Sequence, residues 1–223
     1  MKKQALLIVF ALCAAFALHA QELNWRAFDE RYEQAAALHL GLDFGTVYGL
    51  SYGRRLPGRL PVLLGATASV PFGDQPFDDW KVSVNAQSEL WHNDRLSFSI
   101  KPAFLVRRYQ SDAARLYNTG AGITATFGYF RPKWGIATEA HYDRALFVHA
   151  KHDMLKAHYP AIRDGWYGST GGNYQFGVKA HYAMQSWNVF LKIGRVYAQD
   201  FKDNPTLLYY LDLSLVKYLR RPN

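Results

Sequence analysis

The stretch Leu38–Tyr52, LHLGLDFGTVYGLSY, alternates between two kinds of side chain. Apart from Thr46, the even positions carry large apolar or aromatic groups, whereas the odd positions are small or polar. Because successive side chains of a β-strand point to opposite faces, one face of this stretch is bulky and the other is not. The bulky face would point inward in a soluble sheet, but outward in a closed barrel that spans a lipid bilayer.

The same alternation returns along the chain in segments of about ten residues. They are 62–70, 80–90, 96–107, 121–129, 134–143, 174–182, 187–194 and 207–216. One such segment is a weak signal, but a regular series predicts an all-β protein. We therefore predict a closed antiparallel transmembrane β-barrel.

The opening stretch is too long for one strand if it continues to Leu56. A turn near Gly45–Val47 would divide it into strands around Ala36–Phe44 and Tyr48–Leu56, with even positions outward on both. Single-chain bacterial barrels have an even number of strands. Ten strands are therefore predicted, and eight would result if one segment lies outside the barrel.

The connections between these segments alternate in length. Short turns at 57–60, 91–95, 131–133 and 185–186 alternate with longer loops at 71–79, 108–119, 144–172 and 198–205. Short periplasmic turns and long extracellular loops are typical of outer-membrane barrels. Trp91, Trp134 and Trp187 lie beside short turns, where aromatic residues form a girdle at the membrane interface.

The chain divides into three parts. Residues 1–20 combine Lys2 and Lys3 with a short apolar run and end on Ala20, which predicts a signal peptide. Residues 21–35 are polar and are interpreted as a periplasmic lead-in, and residues 36–223 as the barrel domain. Cys13 is the single cysteine and lies in the signal peptide, so the mature chain forms no disulfide.

Charge and composition limit the partners. Cleavage after Ala20 removes two of the 26 basic side chains and none of the 18 acidic ones, which leaves a net charge of +6. This charge suits contact with outer-membrane lipid and lipopolysaccharide. No nucleic-acid partner is expected, because basic residues are not interleaved with aromatic ones at a recognition spacing. We expect a monomer without a cofactor.

The motifs YFRPKW (129–134), KHD (151–153) and RDGWYGSTGGNYQFG (163–177) accompany the signal peptide and the alternating strands. Together they resemble bacterial outer-membrane β-barrel proteins and are similar to uncharacterised outer-membrane barrels of Bacteroidota. The resemblance covers most of the mature chain. It implies a location in the outer membrane of a Gram-negative cell envelope, and it implies no activity.

The inward positions of the predicted strands are polar and nearly balanced in charge. They are Asp43, Lys81, Asn85, Gln87, Glu89, Lys101, Arg107, Glu139, His141, Lys179, His181, Lys192 and Asp212. Uncompensated charges are costly inside a narrow barrel, so ion pairs and hydrogen bonds are expected between them. A narrow polar pathway or a ligand pocket is the alternative.

Glu139, His141 and Asp143 place three titratable groups on one face of a strand. A hydrolase at the barrel rim could use His141 as general base, oriented by either carboxylate. The sequence offers no convincing nucleophile beside them, so catalysis is not the main prediction.

The longest loop, 144–172, contains two further candidates. His149, His152, Asp153 and His158 could bind zinc, but their spacing is not a recognised ligand pattern, and no metal site is predicted. Arg163, Trp166 and Tyr167 could anchor a protein or a glycan, because aromatic residues dominate binding hot spots.

The main functional prediction is therefore a non-enzymatic outer-membrane barrel with a structural role or a role in binding a ligand or partner through its extracellular loops. The barrel-rim hydrolase is one alternative. A soluble periplasmic barrel that binds an apolar ligand inside is the other.

Overall fold

A computed structural model describes residues 23–29, 31–58, 60–73, 77–111, 114–152, 155–169, 171–199 and 207–220. The predicted signal peptide lies outside these residues. α1 (Leu155–His158) is a single helical turn. No helix within the described ranges is long and apolar enough to cross a membrane.

Eleven strands are found in the described residues. The first five are β1 (Tyr32–Leu42), β2 (Thr46–Leu56), β3 (Val62–Pro71), β4 (Trp80–His92) and β5 (Leu96–Gln110). The next three are β6 (Arg115–Phe130), β7 (Trp134–Lys151) and β8 (Gly165–Tyr167). The last three are β9 (Gly171–Met184), β10 (Trp187–Ala198) and β11 (Tyr209–Arg220).

Ten of these strands form a closed antiparallel barrel. Each pairs with its neighbour along the chain, β7 pairs with β9, and β1 closes the barrel by pairing with β11. The short strand β8 pairs with the upper part of β7 and takes no part in closure. The predicted ten-stranded barrel is confirmed, and the eight-stranded alternative is wrong.

The opening stretch folds as a β-hairpin. β1 and β2 are joined by residues 43–45, and their register pairs Leu38 with Leu50 and Leu40 with Tyr48. Apolar even positions therefore lie side by side on one surface. β1 begins at Tyr32, so the barrel starts before residue 36, within the stretch interpreted as a lead-in.

The bulky face of the strands points away from the barrel axis. Leu38 is 58% exposed and Ile136 is 54% exposed, while polar side chains such as Ser51 and Glu139 are buried inside. A closed barrel with an apolar exterior is the arrangement that a bilayer requires. The soluble periplasmic alternative is therefore wrong, because a water-soluble barrel would bury these side chains.

Trp91, Trp134 and Trp187 are exposed on the outer surface near the short turns, as a membrane girdle requires. A β-bulge between Glu89 and Trp91 shifts the register of β4 against β5. The shift pairs Trp91 with Phe98, so an odd-numbered residue joins the outer face.

Two of the predicted long loops are shorter than expected. β5 and β6 leave only residues 111–114 between them, and β7 continues to Lys151. A bulge near Leu146 breaks the alternation, because Ala145 pairs with Gly120 and Phe147 with Thr119. These extensions show no clear inside–outside pattern in the sequence, since no lipid selects an apolar outer face beyond the membrane.

Candidate functional site

The end of the barrel that carries the long connections is the extracellular end. A cavity of about 890 Å³, here called the vestibule, lies there. A smaller cavity of about 230 Å³ follows toward the barrel centre. Both are lined by Asp43, Lys81, Leu105 and Gln175, so the two spaces adjoin.

The opposite end is filled by residues 23–29, which we call the N-terminal plug. Leu23, Asn24 and Phe28 are only 2%, 0% and 1% exposed. Leu23 and Phe28 pack into an apolar cluster with inward side chains of the strands. Those side chains are Tyr32, Ala35, Ala37, Leu63, Phe190, Val216 and Tyr218.

The plug also bonds to the turns at this end. The Nδ2 atom of Asn24 donates to the carbonyl of Arg131 at 2.9 Å, and Arg26 donates to the carbonyl of Asn93 at 2.8 Å. The Phe28 ring lies edge-on to Tyr218, with 5.0 Å between ring centroids. The role of residues 23–29 as a plug was not predicted from the sequence; the available signal was the presence of apolar residues in an otherwise polar stretch.

Three charged side chains form a cluster inside the barrel. The Glu139 carboxylate is 3.7 Å from the ammonium groups of both Lys179 and Lys192, and Lys179 also donates to Thr126 at 3.2 Å. Glu139 and Lys179 are almost fully buried. The predicted internal ion pairs are therefore present here, and each charge offsets the burial cost of the other.

The predicted catalytic residues do not form one unit. The Nε2 atom of His141 is 3.4 Å from Asp143, and its Nδ1 atom is 2.9 Å from the Thr124 hydroxyl. Glu139 instead lies against the two lysines. His141 thus bridges two wall residues, and the geometry does not support the barrel-rim hydrolase.

A second histidine network was not singled out from the sequence. The Nδ1 atom of His39 is 2.8 Å from the Ser214 hydroxyl and 3.3 Å from the Asp212 carboxylate, and its Nε2 atom is 2.5 Å from the Ser51 hydroxyl. Ser51 lies 2.9 Å from Thr67. This series of hydrogen bonds runs across β11, β1, β2 and β3, and it satisfies polar groups of the inner wall. Alternation predicts that these residues face inward, but only the register makes them neighbours.

The predicted partner-binding residues lie on the extracellular extension. Trp166 is 69% exposed and lies beside His149 of β7, with 4.9 Å between ring centroids. The Tyr167 hydroxyl donates to the carbonyl of Arg163 at 2.5 Å. All three side chains are exposed, so they could contact a partner outside the cell.

The histidines considered for metal binding have other neighbours. His149 faces Trp166, His152 lies 3.5 Å from Asp164, and His158 is exposed on α1. Asp153 lies outside the described residues. No group of three metal-ligating side chains occurs in the part of the chain that is described.

Asp164 organises the loop between β7 and β8. It accepts hydrogen bonds from the Lys156 ammonium at 2.5 Å and from the backbone N–H of His152 at 2.9 Å. These bonds, the one from Lys156 above all, lower the pKa of the Asp164 carboxyl to about 2. The carboxylate therefore links α1 to the end of β7 at neutral pH.

No protein-family model matches the sequence, and a search of curated proteins found no match. Among solved structures, the chain is similar to an outer-membrane channel from Pseudomonas putida F1, with 12% identity, a TM-score of 0.56, and coverage of 90% of this chain and 100% of that one. The KdgM porin has 13% identity and a TM-score of 0.44, over 83% and 99% of the two chains. The Yersinia pestis outer membrane protein Ail has 8% identity and a TM-score of 0.38, over 84% and 99%.

The similarity to the Pseudomonas channel concerns the fold. It agrees with the closed barrel, the apolar outer surface and the aromatic residues near the short turns. The protein is a β-barrel membrane protein of the bacterial outer membrane.

Proposed function

We propose that this barrel binds a ligand or a partner at its extracellular side and does not conduct solutes across the membrane. The observation that carries the proposal is the asymmetry of the interior. The vestibule lies at the extracellular end, while the protein's own residues 23–29 fill the periplasmic end.

The plug is well suited to hold the barrel closed. Asn24 and Phe28 leave almost no surface accessible to water, and the surrounding side chains are apolar and aromatic. An ion that passed through would have to displace this cluster or lose its hydration. A dead-end cavity that opens outward is the form expected of a receptor pocket.

Conductance in planar bilayers tests the proposal. The intact mature chain should give no stable channel steps, whereas a variant lacking residues 21–29 should conduct steadily. Arg163→Ala serves as the control, because Arg163 lies on the extracellular loop, and it should behave like the intact chain. Heat-modifiable gel migration verifies folding, and steady conductance by the intact chain would contradict the proposal.

The exposed loop residues support a second contact with a larger partner. Trp166 offers a rigid aromatic surface, and the exposed Arg163 precedes it by three residues. Tryptophan and arginine are among the residue types enriched in binding hot spots. Trp166→Ala should remove surface partners captured by cross-linking on whole cells. Tyr159→Ala is the control, since Tyr159 is 61% exposed on the same loop. Partners that survive both Trp166→Ala and Arg163→Ala would argue against this contact.

The outer surface also suits anionic lipid. Arg144 is exposed in the extracellular half of β7, and Arg195 is exposed near the extracellular end of β10. The phosphates of lipopolysaccharide would lie at this side of the membrane. Closure of the barrel leaves its strand edges paired, which favours a monomer.

A relationship to outer-membrane barrels of Bacteroidota remains part of the proposal and rests on the sequence motifs.

A further inference from the structure

Most charged side chains of the vestibule are paired with one another; among the described lining residues Arg144 differs, because it donates to the Ser169 hydroxyl at 2.7 Å. Lys81 lies 2.7 Å from Asp43, and the Arg107 guanidinium bonds to both oxygens of Asp79 at 2.8 and 3.1 Å. Asp143 lies beside His141. An anionic ligand would meet these carboxylates and a cationic ligand would meet Lys81 and Arg107, so either would have to disrupt an existing pair.

Amide side chains supply much of the remaining polarity. They are Asn118, Asn173, Gln175 and Gln199. A side-chain amide both donates and accepts hydrogen bonds, as a sugar hydroxyl does. Asn118 lines the vestibule, and its buried Oδ1 atom accepts no hydrogen bond from any described residue. A rotation of this amide would bring an unsatisfied acceptor to a donor of the ligand.

Aromatic rings complete the lining. Phe44, at the tip of the β1–β2 hairpin, lies under the Arg107 guanidinium with 4.4 Å to the ring centroid. Tyr109 lies 5.7 Å from the same guanidinium and remains exposed. Such rings can pack against the C–H face of a pyranose while neighbouring amides and paired charges bond to its hydroxyls.

We propose that the vestibule binds a neutral, hydroxyl-rich ligand of the size of a short oligosaccharide. The inference rests on the proposed function, because it assumes a pocket that is open to the outside. A volume of about 890 Å³ falls within the usual range of ligand pockets. The balanced charges give the specificity, since the three carboxylates named above match the three cationic side chains among the described lining residues.

Calorimetric titration of the full chain with three trisaccharides tests the inference. Maltotriose is neutral, trigalacturonic acid is anionic and the chitosan trisaccharide is cationic. The protein is kept in lauryldimethylamine oxide micelles, which carry no sugar. Maltotriose should bind at least tenfold more tightly than either charged probe. Preferred binding of a charged probe, or no binding of maltotriose, would overturn the inference.

Three variants locate the binding. Asn118→Leu should weaken maltotriose binding at least tenfold, and Gln175→Leu is the second test if Asn118→Leu does not fold. Tyr159→Ala should bind maltotriose normally, because Tyr159 is exposed and is outside the vestibule lining. Asp43→Asn leaves Lys81 without its carboxylate and should shift preference toward trigalacturonic acid. Unchanged maltotriose affinity in both folded Leu variants would place the sugar elsewhere and end the proposal.

The two proposals fail in different ways. If a charged trisaccharide binds best and Asn118→Leu weakens it, the neutral ligand class is wrong while an extracellular binding pocket is supported. If the intact chain conducts in planar bilayers, the proposed function falls whatever the titrations give.

Discussion

The Nδ2 atom of Asn24 lies 2.6 Å from the Nε2 atom of His181, although 157 residues separate the two along the chain. The Oδ1 atom of Asn24 accepts from the backbone N–H of Arg26 at 2.9 Å, which fixes the orientation of the amide. Because Nδ2 can only donate, His181 must accept, and its ring is neutral. One asparagine thereby joins the plug to the barrel wall.

Replacement of Asn24 by Ala should loosen the plug without unfolding the barrel. The change removes the hydrogen-bond donor to His181 and to the Arg131 carbonyl. Leaving these acceptors unsatisfied inside the barrel costs about 1–3 kcal/mol of stability. Hydrogen exchange should become faster in residues 23–29 and stay slow in the strands. Arg54→Ala is the control, because Arg54 pairs with Glu33 at an exposed site outside the plug. Unaltered exchange in the plug would contradict the role of Asn24.

Glu139→Gln should lower the free energy of unfolding by about 3 kcal/mol, because it removes the negative charge that lies 3.7 Å from the buried Lys179 ammonium and from Lys192. Urea titration in detergent micelles measures the loss. Glu33→Gln is the matched control, because Glu33 pairs with Arg54 at the surface and should cost at most about 1 kcal/mol. Equal losses of unfolding free energy in the two variants would show that burial does not increase the contribution of the Glu139 ion pairs to stability.

Gly177→Ala should destabilise the barrel by about 1–3 kcal/mol through overpacking. A Cβ atom at this position would lie 2.3 Å from the Tyr210 hydroxyl and 2.4 Å from the carbonyl of Ile193, so a strand must shift. At Gly45 an added Cβ would meet nothing within 4 Å, and Gly45→Ala should be tolerated. The shift in unfolding midpoint of both variants tests this, and a stable Gly177→Ala protein would contradict it.

The stability of the loop that Asp164 holds together should change with pH only under strongly acidic conditions. Its pKa is lowered from 3.8 to about 2, so its stabilising effect is complete above the unfolded value and is lost as the pH falls through about 2. The amide chemical shift of His152 should report a midpoint near the lower value. Asp164→Asn should abolish the transition, and a wild-type midpoint near 3.8 would mean that the bonds to Lys156 and His152 do not hold the carboxylate.

Local patterning was sufficient to predict the barrel, its ten strands and the side that faces lipid. Leu38 and Ile136 lie outside and Glu139 and His141 inside, because a bilayer requires apolar side chains on every second position of each strand. The polar interior follows from the same period. Beyond the lipid, as in β7 after Arg144, the alternation of apolar and polar residues is lost. The extent of the strand could not be predicted there.

Alternation gives the face of a side chain but not its neighbours, which depend on strand register and on chain segments far apart in sequence. Folding therefore brought Glu139 to Lys179 and Lys192 rather than to His141, and it joined His39 to Asp212. It also placed residues 23–29 inside the barrel end. These contacts join residues of different strands or segments, and for that reason no short stretch of sequence contains them.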